Sequence, residues 1–116
     1  MGLISFRAAG SEAQVNRRAH VRRRVSFGSF LAMPDASQWI KCHTLDLSFA
    51  GARVHMDEAP SLPPSVYFLQ MRDRLAYEAR IAWHKSPEAG LEFLKVYRFA
   101  DVPDPALRRL IEKVSG

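Results

Sequence analysis

One cysteine, Cys42, stands in 116 residues. A lone thiol excludes a disulfide framework and a thiolate metal site, and it suits a reducing compartment. No apolar run approaches the roughly 20 residues that a membrane-spanning helix needs. The N-terminal segment MGLISFRAAGSEAQVN lacks the apolar stretch of a signal peptide, and its Met-Gly start is a poor match to a myristoylation signal. The expectation is a cytoplasmic chain without membrane insertion. Glycine-rich phosphate loops are missing as well. The four histidines, His20, His43, His55 and His84, have no metal-ligand spacing with one another or with Cys42. Ser48 has no base partner evident along the chain. These absences together predict a binding protein rather than an enzyme, with no catalytic residue, metal or cofactor.

Acidic residues are scarce in one place only. Residues 1–24 carry six arginines and a single acid, Glu12, whereas residues 25–116 carry eleven basic and eleven acidic side chains. The whole net charge of +5 therefore resides on the N-terminal segment. Nucleic-acid binders more often spread basic residues along a broad face. Charge gathered at one point favours a compact anion.

The length is that of one domain, long enough to bury a core without staples. Residues 1–16 show no sustained periodicity and read as a flexible tail; residues 17–116 read as one domain. From residue 25 onward the pattern is that of strands. Val25, Phe27, Leu31 and Met33 keep rough period two, and residues 39–47 are β-prone. Ala52, Val54 and Met56 alternate with Arg53, His55 and Asp57, and Pro60, Pro63 and Pro64 then break the chain. Residues 65–72 form a further strand. The clearest alternation sets Leu75, Tyr77, Ala79, Ile81 and Trp83 against Ala76, Glu78, Arg80, Ala82 and His84. A turn at Ser86–Ala89 leads into a last strand over 90–94.

About six short antiparallel strands predict a mainly β fold, a barrel or sandwich. A helix over about 104–114 closes the chain. Asp104 suits its N-cap and Pro105 its first turn. Leu107, Leu110, Ile111 and Val114 then form one apolar stripe, suited to covering an end or a face of the barrel.

Two short segments remain to be explained. The first is the arginine cluster Arg17-Arg18-Ala19-His20-Val21-Arg22-Arg23-Arg24. Taken alone it reads as a solvated tail or a nonspecific nucleic-acid arm. Yet Arg18 and Arg22 are separated by three residues, with Arg17 adjacent. Guanidiniums so spaced on a loop can converge on one phosphate or on guanine O6 and N7. The second segment is Asp46-Leu47-Ser48-Phe49-Ala50-Gly51, between two predicted strands. Asp and Ser cap turns there, and Gly permits a positive φ or a close backbone approach.

In this order, across one strand pair, the two segments resemble the PilZ domain, a bacterial family of cyclic di-GMP receptors. That family carries an RxxxR motif, often with an extra leading arginine, and a D/N-x-S-x-x-G motif on its barrel. Arg17, Arg18 and Arg22 match the first, and Asp46, Ser48 and Gly51 match the second. The resemblance extends to Arg80-Ile81-Ala82-Trp83 and to Gly90-x-x-Phe93, and so covers roughly residues 16–98. It implies a six-stranded antiparallel barrel with a C-terminal helix and a flexible N-terminal arm, and it implies cyclic di-GMP as ligand. Arg17, Arg18 and Arg22 would then bind phosphates and guanine Hoogsteen edges. Asp46 would accept from guanine N1–H and N2–H, Ser48 would bond phosphate or guanine, and Gly51 would allow close approach. Trp83 either stacks on a guanine or packs in the core with Leu75 and Ile81.

A small binding domain signals through its surface, so the expectation is an adaptor whose arm changes on ligand binding and whose new surface signals to a downstream protein. The alternative is a small barrel that binds single-stranded nucleic acid through its basic arm. The two separate by salt and selectivity. Strand binding weakens steeply with salt and spans several nucleotides. Cyclic di-GMP binding saturates at a small stoichiometry and discriminates against adenine analogues.

Overall fold

A computed structural model describes residues 23–57 and 61–115. Arg17, Arg18 and Arg22, and the arm expected to carry them, lie outside the described residues. Six strands succeed one another: β1 (Arg23–Ala32), β2 (Trp39–Leu47), β3 (Gly51–Met56), β4 (Ser65–Gln70), β5 (Leu75–Lys85) and β6 (Glu88–Arg98). A 3₁₀ turn at Phe99–Asp101 leads to the helix α1 (Pro105–Ser115). The strands close into an antiparallel barrel in the order β1-β2-β3-β6-β5-β4. Closure is made by a short β1–β4 ladder running from Ser29 opposite Gln70 to Ala32 opposite Tyr67.

Period-two alternation directs one side of each strand into the lumen. Ala52, Val54 and Met56 of β3 point inward and are buried, with Arg53 and His55 on the outer side. Leu31, Val66, Phe68 and Leu91 meet them in the lumen. Phe93 and Tyr77 stack there with centroids 3.9 Å apart, and burial pushes the Tyr77 hydroxyl up to about 12. A small polar layer also lies inside: Ser29 Oγ and Thr44 Oγ1 are 2.5 Å apart, and Ser29 Oγ is 3.5 Å from Cys42 Sγ. Burial pushes the Cys42 thiol up to about 11, so this cysteine is a core residue and a poor nucleophile.

A second core forms outside the cylinder. Ala32 of β1, Leu69 of β4 and Ala76 of β5 are buried with Phe99 against Leu107, Leu110 and Ile111 of α1. The apolar stripe of α1 therefore covers one outer face of the barrel. The Asp104 carboxylate caps the helix by accepting the Ala106 N–H at 2.9 Å, and its carbonyl accepts the Arg108 N–H at 3.0 Å. Pro105 occupies the first helical position, where no N–H is needed.

The limits of β4 and β6 differ from the sequence reading. β4 stops at Gln70 because that buried side chain is consumed by the next turn. It donates to Asp73 Oδ2 at 2.7 Å and accepts the Asp73 N–H at 2.5 Å. β6 begins at Glu88 and runs to Arg98, so the turn after β5 is only Ser86–Pro87. The longer hairpin is held by pairing that runs from Leu75–Arg98 to Lys85–Glu88 with two bulges along it, which local turn residues do not reveal.

Leu107→Ala is expected to cost about 2–5 kcal/mol, the range for truncating a buried leucine. Urea denaturation checks it; a loss under about 1 kcal/mol would mean that α1 is not anchored on the barrel. Cys42 is expected to react with thiol reagents far more slowly in the native protein at pH 8 than in denaturant, as timed alkylation would report.

Candidate functional site

Asp46 should, by strict alternation, join Cys42 and Thr44 in the lumen. It does not, because β2 holds one extra residue. Thr44 stands opposite Val54, and the next pair is Asp46 opposite Arg53, leaving Leu45 without a counterpart. A bulge of this kind changes which face the next side chain takes. Asp46 thus shares the outer side of the sheet with Arg53, and Leu47, opposite Ala52, returns toward the lumen core. β1 bulges at the same level, between Arg24 opposite Asp46 and Phe27 opposite Thr44.

The outward carboxylate is nevertheless well covered, with 8% of the residue exposed. Arg53 Nε donates to Asp46 Oδ2 at 2.5 Å, and Arg53 Nη1 donates to Glu88 Oε1 at 2.8 Å. The Asp46 carboxylate, and after it that of Glu88, hold the Arg53 guanidinium above its ordinary range and therefore charged. Neither Asp46 Oδ1 nor Arg53 Nη2 has a partner among the described residues.

The turn after β2 is built by Ser48. Its backbone N–H donates to the Gly51 carbonyl at 2.9 Å, and its hydroxyl accepts the N–H groups of Ala50 and Gly51, each at 3.2 Å. Gly51 is required by proximity: a Cβ there would overlap the carbonyl oxygen of Leu91 on β6. The positive φ that the sequence reading allowed at this glycine is not adopted.

Trp83 resolves in favour of the surface. Tyr77, Ala79 and Ile81 line the lumen, and unbroken alternation would send Trp83 after them. β5 has a bulge here: Ile81 faces Leu91, but Trp83 faces Gly90, so Ala82 is the extra residue. Trp83 is turned outward and is 41% exposed, which overturns the core option. Its indole lies across Gly90, where a Cβ would overlap the ring nitrogen.

These displacements produce one cross-strand row. Arg24, Asp46, Arg53, Gly90 and Trp83 are successive ladder partners on β1, β2, β3, β6 and β5. Each step is one strand spacing, about 4.8 Å. The helix lies elsewhere, since no residue of β2 or β3 belongs to the cluster beneath α1. Of the residues singled out in the sequence, Asp46, Ser48 and Gly51 share one hairpin, and Trp83 stands two strands beyond Arg53 in the row. Arg17, Arg18 and Arg22 are outside the described residues, but the chain enters β1 at Arg23, opposite Leu47.

Arg53 and Glu88 were not singled out in the sequence. The outward phase of Arg53 was visible in its alternation with Val54, and that was the available signal. Its pairing with Asp46 depends on the bulge and its pairing with Glu88 on the β3–β6 ladder, neither of which a local pattern encodes. Among the described residues no group of His, Cys, Asp or Glu forms a metal-binding cluster, and no helix is long and apolar enough to cross a membrane.

A family model described as "PilZ domain" matches residues 16–115. Among solved structures, the chain is similar to the crystal structure of the PilZ domain of CeSA from a cellulose-synthesizing bacterium. The TM-score is 0.54 at 19% sequence identity, over 82% of this chain and 94% of that one. At that identity the likeness concerns the fold. No curated protein matches the chain in sequence.

Gly51→Ala is expected to destabilise the barrel by about 1–3 kcal/mol, because the Leu91 backbone cannot move aside cheaply. Chemical denaturation measures it, and an unchanged midpoint would refute the close approach. Gly90→Ala is expected to lift the indole off the sheet, shifting the Trp83 fluorescence in a Trp39→Phe background; an unaltered spectrum would refute the seat.

Proposed function

The chain belongs to the PilZ domain family, known as receptors of cyclic di-GMP, and from that premise we infer that it binds cyclic di-GMP on the outer face of β2, β3 and β6. PilZ domains are binding domains rather than enzymes, and they act with partner proteins. The observation that carries the inference is the outward turn of Asp46 at the Leu45 bulge, in register with Arg24, one residue from where the arginine segment enters the barrel.

The chemistry of the ligand suits this arrangement. Cyclic di-GMP presents two phosphates and two guanines. Arg17, Arg18 and Arg22 supply forked donors for phosphate oxygens and for guanine O6 and N7. Chain length permits this: Arg17 lies six positions before Arg23, a reach of at most about 21 Å. Asp46 Oδ1 accepts from guanine N1–H and N2–H, a pattern adenine lacks. Ser48 and the close-packed Gly51 shape the floor. The exposed face of Trp83 offers stacking worth about 1–3 kcal/mol per base.

Ligand binding then draws residues 17–22 across Asp46. Fixing each residue of the arm costs about 1–2 kcal/mol, which limits the change to the short stretch ahead of β1. The rebuilt face of arm and barrel is what a downstream protein in the cytoplasm recognises.

Calorimetry with cyclic di-GMP tests the reading. Wild type is expected to bind, to discriminate against cyclic di-AMP, and to keep most of its affinity as salt is raised. Arg22→Ala is expected to lose about 5- to 150-fold, the equivalent of one Arg–guanine pair. No binding by wild type sinks the reading, and equal binding by the variant removes Arg22 from the site. Backbone NMR monitors the arm: unchanged signals for residues 17–22 on ligand addition defeat the switch.

A further inference from the structure

Glu88 has no place in either sequence motif, yet it is the far anchor of the only guanidinium that touches Asp46 among the described residues. It lies on β6 two residues from Gly90, the ladder partner of Arg53, and so is a diagonal neighbour across the β3–β6 pair. Diagonal neighbours are about 7–8 Å apart, a span that a long side chain can bridge. Arg53 is thereby held at both ends of its fork, Nε on Asp46 and Nη1 on Glu88. Only Arg can do this, since the planar guanidinium offers several donors in fixed directions where Lys offers a single charge.

We propose that Glu88 is a positioning residue for the ligand site: through Arg53 it fixes the plane of the Asp46 carboxylate, leaving Oδ1 and Arg53 Nη2 presented together to a guanine. This inference rests on the cyclic di-GMP reading for the identity of the ligand, but the brace itself exists without ligand. Its consequence is paradoxical in sign. Glu88 is an acid beside a site for a doubly anionic ligand, and Coulomb repulsion alone predicts that its removal should tighten binding. The brace predicts the reverse, because releasing Arg53 loosens Asp46 and costs preorganisation. Without Arg53, only the repulsion remains.

A double-mutant cycle exploits this reversal. Cyclic di-GMP is titrated by calorimetry into wild type, Glu88→Ala, Arg53→Ala and the double variant, and the Arg53 Nε–Hε NMR signal is recorded on the ligand-free proteins. Glu88→Ala is expected to weaken binding roughly three- to tenfold in the wild-type background. In the Arg53→Ala background the same change is expected to tighten it by roughly twofold. Arg53→Lys is expected to bind no better than Arg53→Ala. Glu88→Ala should spare the fold, since the Arg53–Glu88 pair is about one-third exposed; Arg53→Ala leaves the well-covered Asp46 carboxylate unpaired and is expected to lower the melting temperature, so thermal denaturation checks that each variant is folded at the titration temperature.

Tighter binding by Glu88→Ala alone, no change, or equal weakening in both backgrounds overturns the proposal. Failure of wild type to bind cyclic di-GMP overturns the receptor reading instead. In that event the NMR signal still decides the brace: loss of the Arg53 Nε–Hε signal to fast exchange in Glu88→Ala upholds it, and an unchanged signal overturns it.

Discussion

The pleat of a β-strand offers its side chains two directions, and in a closed barrel one of them is filled by the lumen core. A polar residue caught in the inward phase must find partners inside, as Ser29 and Thr44 do, or the strand must change phase. The candidate site on this barrel depends on the second solution. Bulges on β1, β2 and β5 each insert one residue and reverse the facing of the next side chains along the strand. The β2 bulge moves a carboxylate from lumen to surface, and the β5 bulge does the same for an indole. Both acts spare the core an unpaired charge or an oversized ring.

Once Asp46 faces outward, electrostatics arranges its surroundings. The carboxylate is mostly covered, and removing its partner would strand a charge at low exposure, which costs far more than an open surface pair is worth. Arg53 meets that need from the facing strand, and Glu88 meets the need of Arg53 from the strand beyond. The three charges form a lateral tie across β2, β3 and β6. The bulge sets which way Asp46 faces, and the tie holds its carboxylate paired there.

The helix completes the division of labour on the barrel surface. By covering Ala32, Leu69 and Ala76, it seals the outer side of β1, β4 and the start of β5. The opposite outer face is left to Asp46, Arg53 and Glu88, and the second half of β5 extends the row to Trp83. Burial of the Leu107–Ile111 stripe thus stabilises the cylinder and confines the polar site to the other side.

Much of this was legible in residue order. Alternation in β3 and β5 identified strands, Asp104-Pro105 marked the start of the helix, and the stripe from Leu107 to Val114 named the residues it buries. These are local properties, set by side-chain period and capping within one turn or one pleat. The motif Asp46-x-Ser48-x-x-Gly51 was legible too, because Ser48 closes its turn with atoms three residues away. Everything that needs a second strand was decided only by the tertiary structure: the outward facing of Asp46 and Trp83, the reason Gly51 must be glycine, and the Glu88–Arg53–Asp46 tie. A bulge is defined by the count of residues on two strands, and a close approach by the backbone of a third. The sequence by itself determined which segments form strands and helix and which residues they can bury; pairing and register between distant strands, fixed by closure of the barrel, decided which side chains meet.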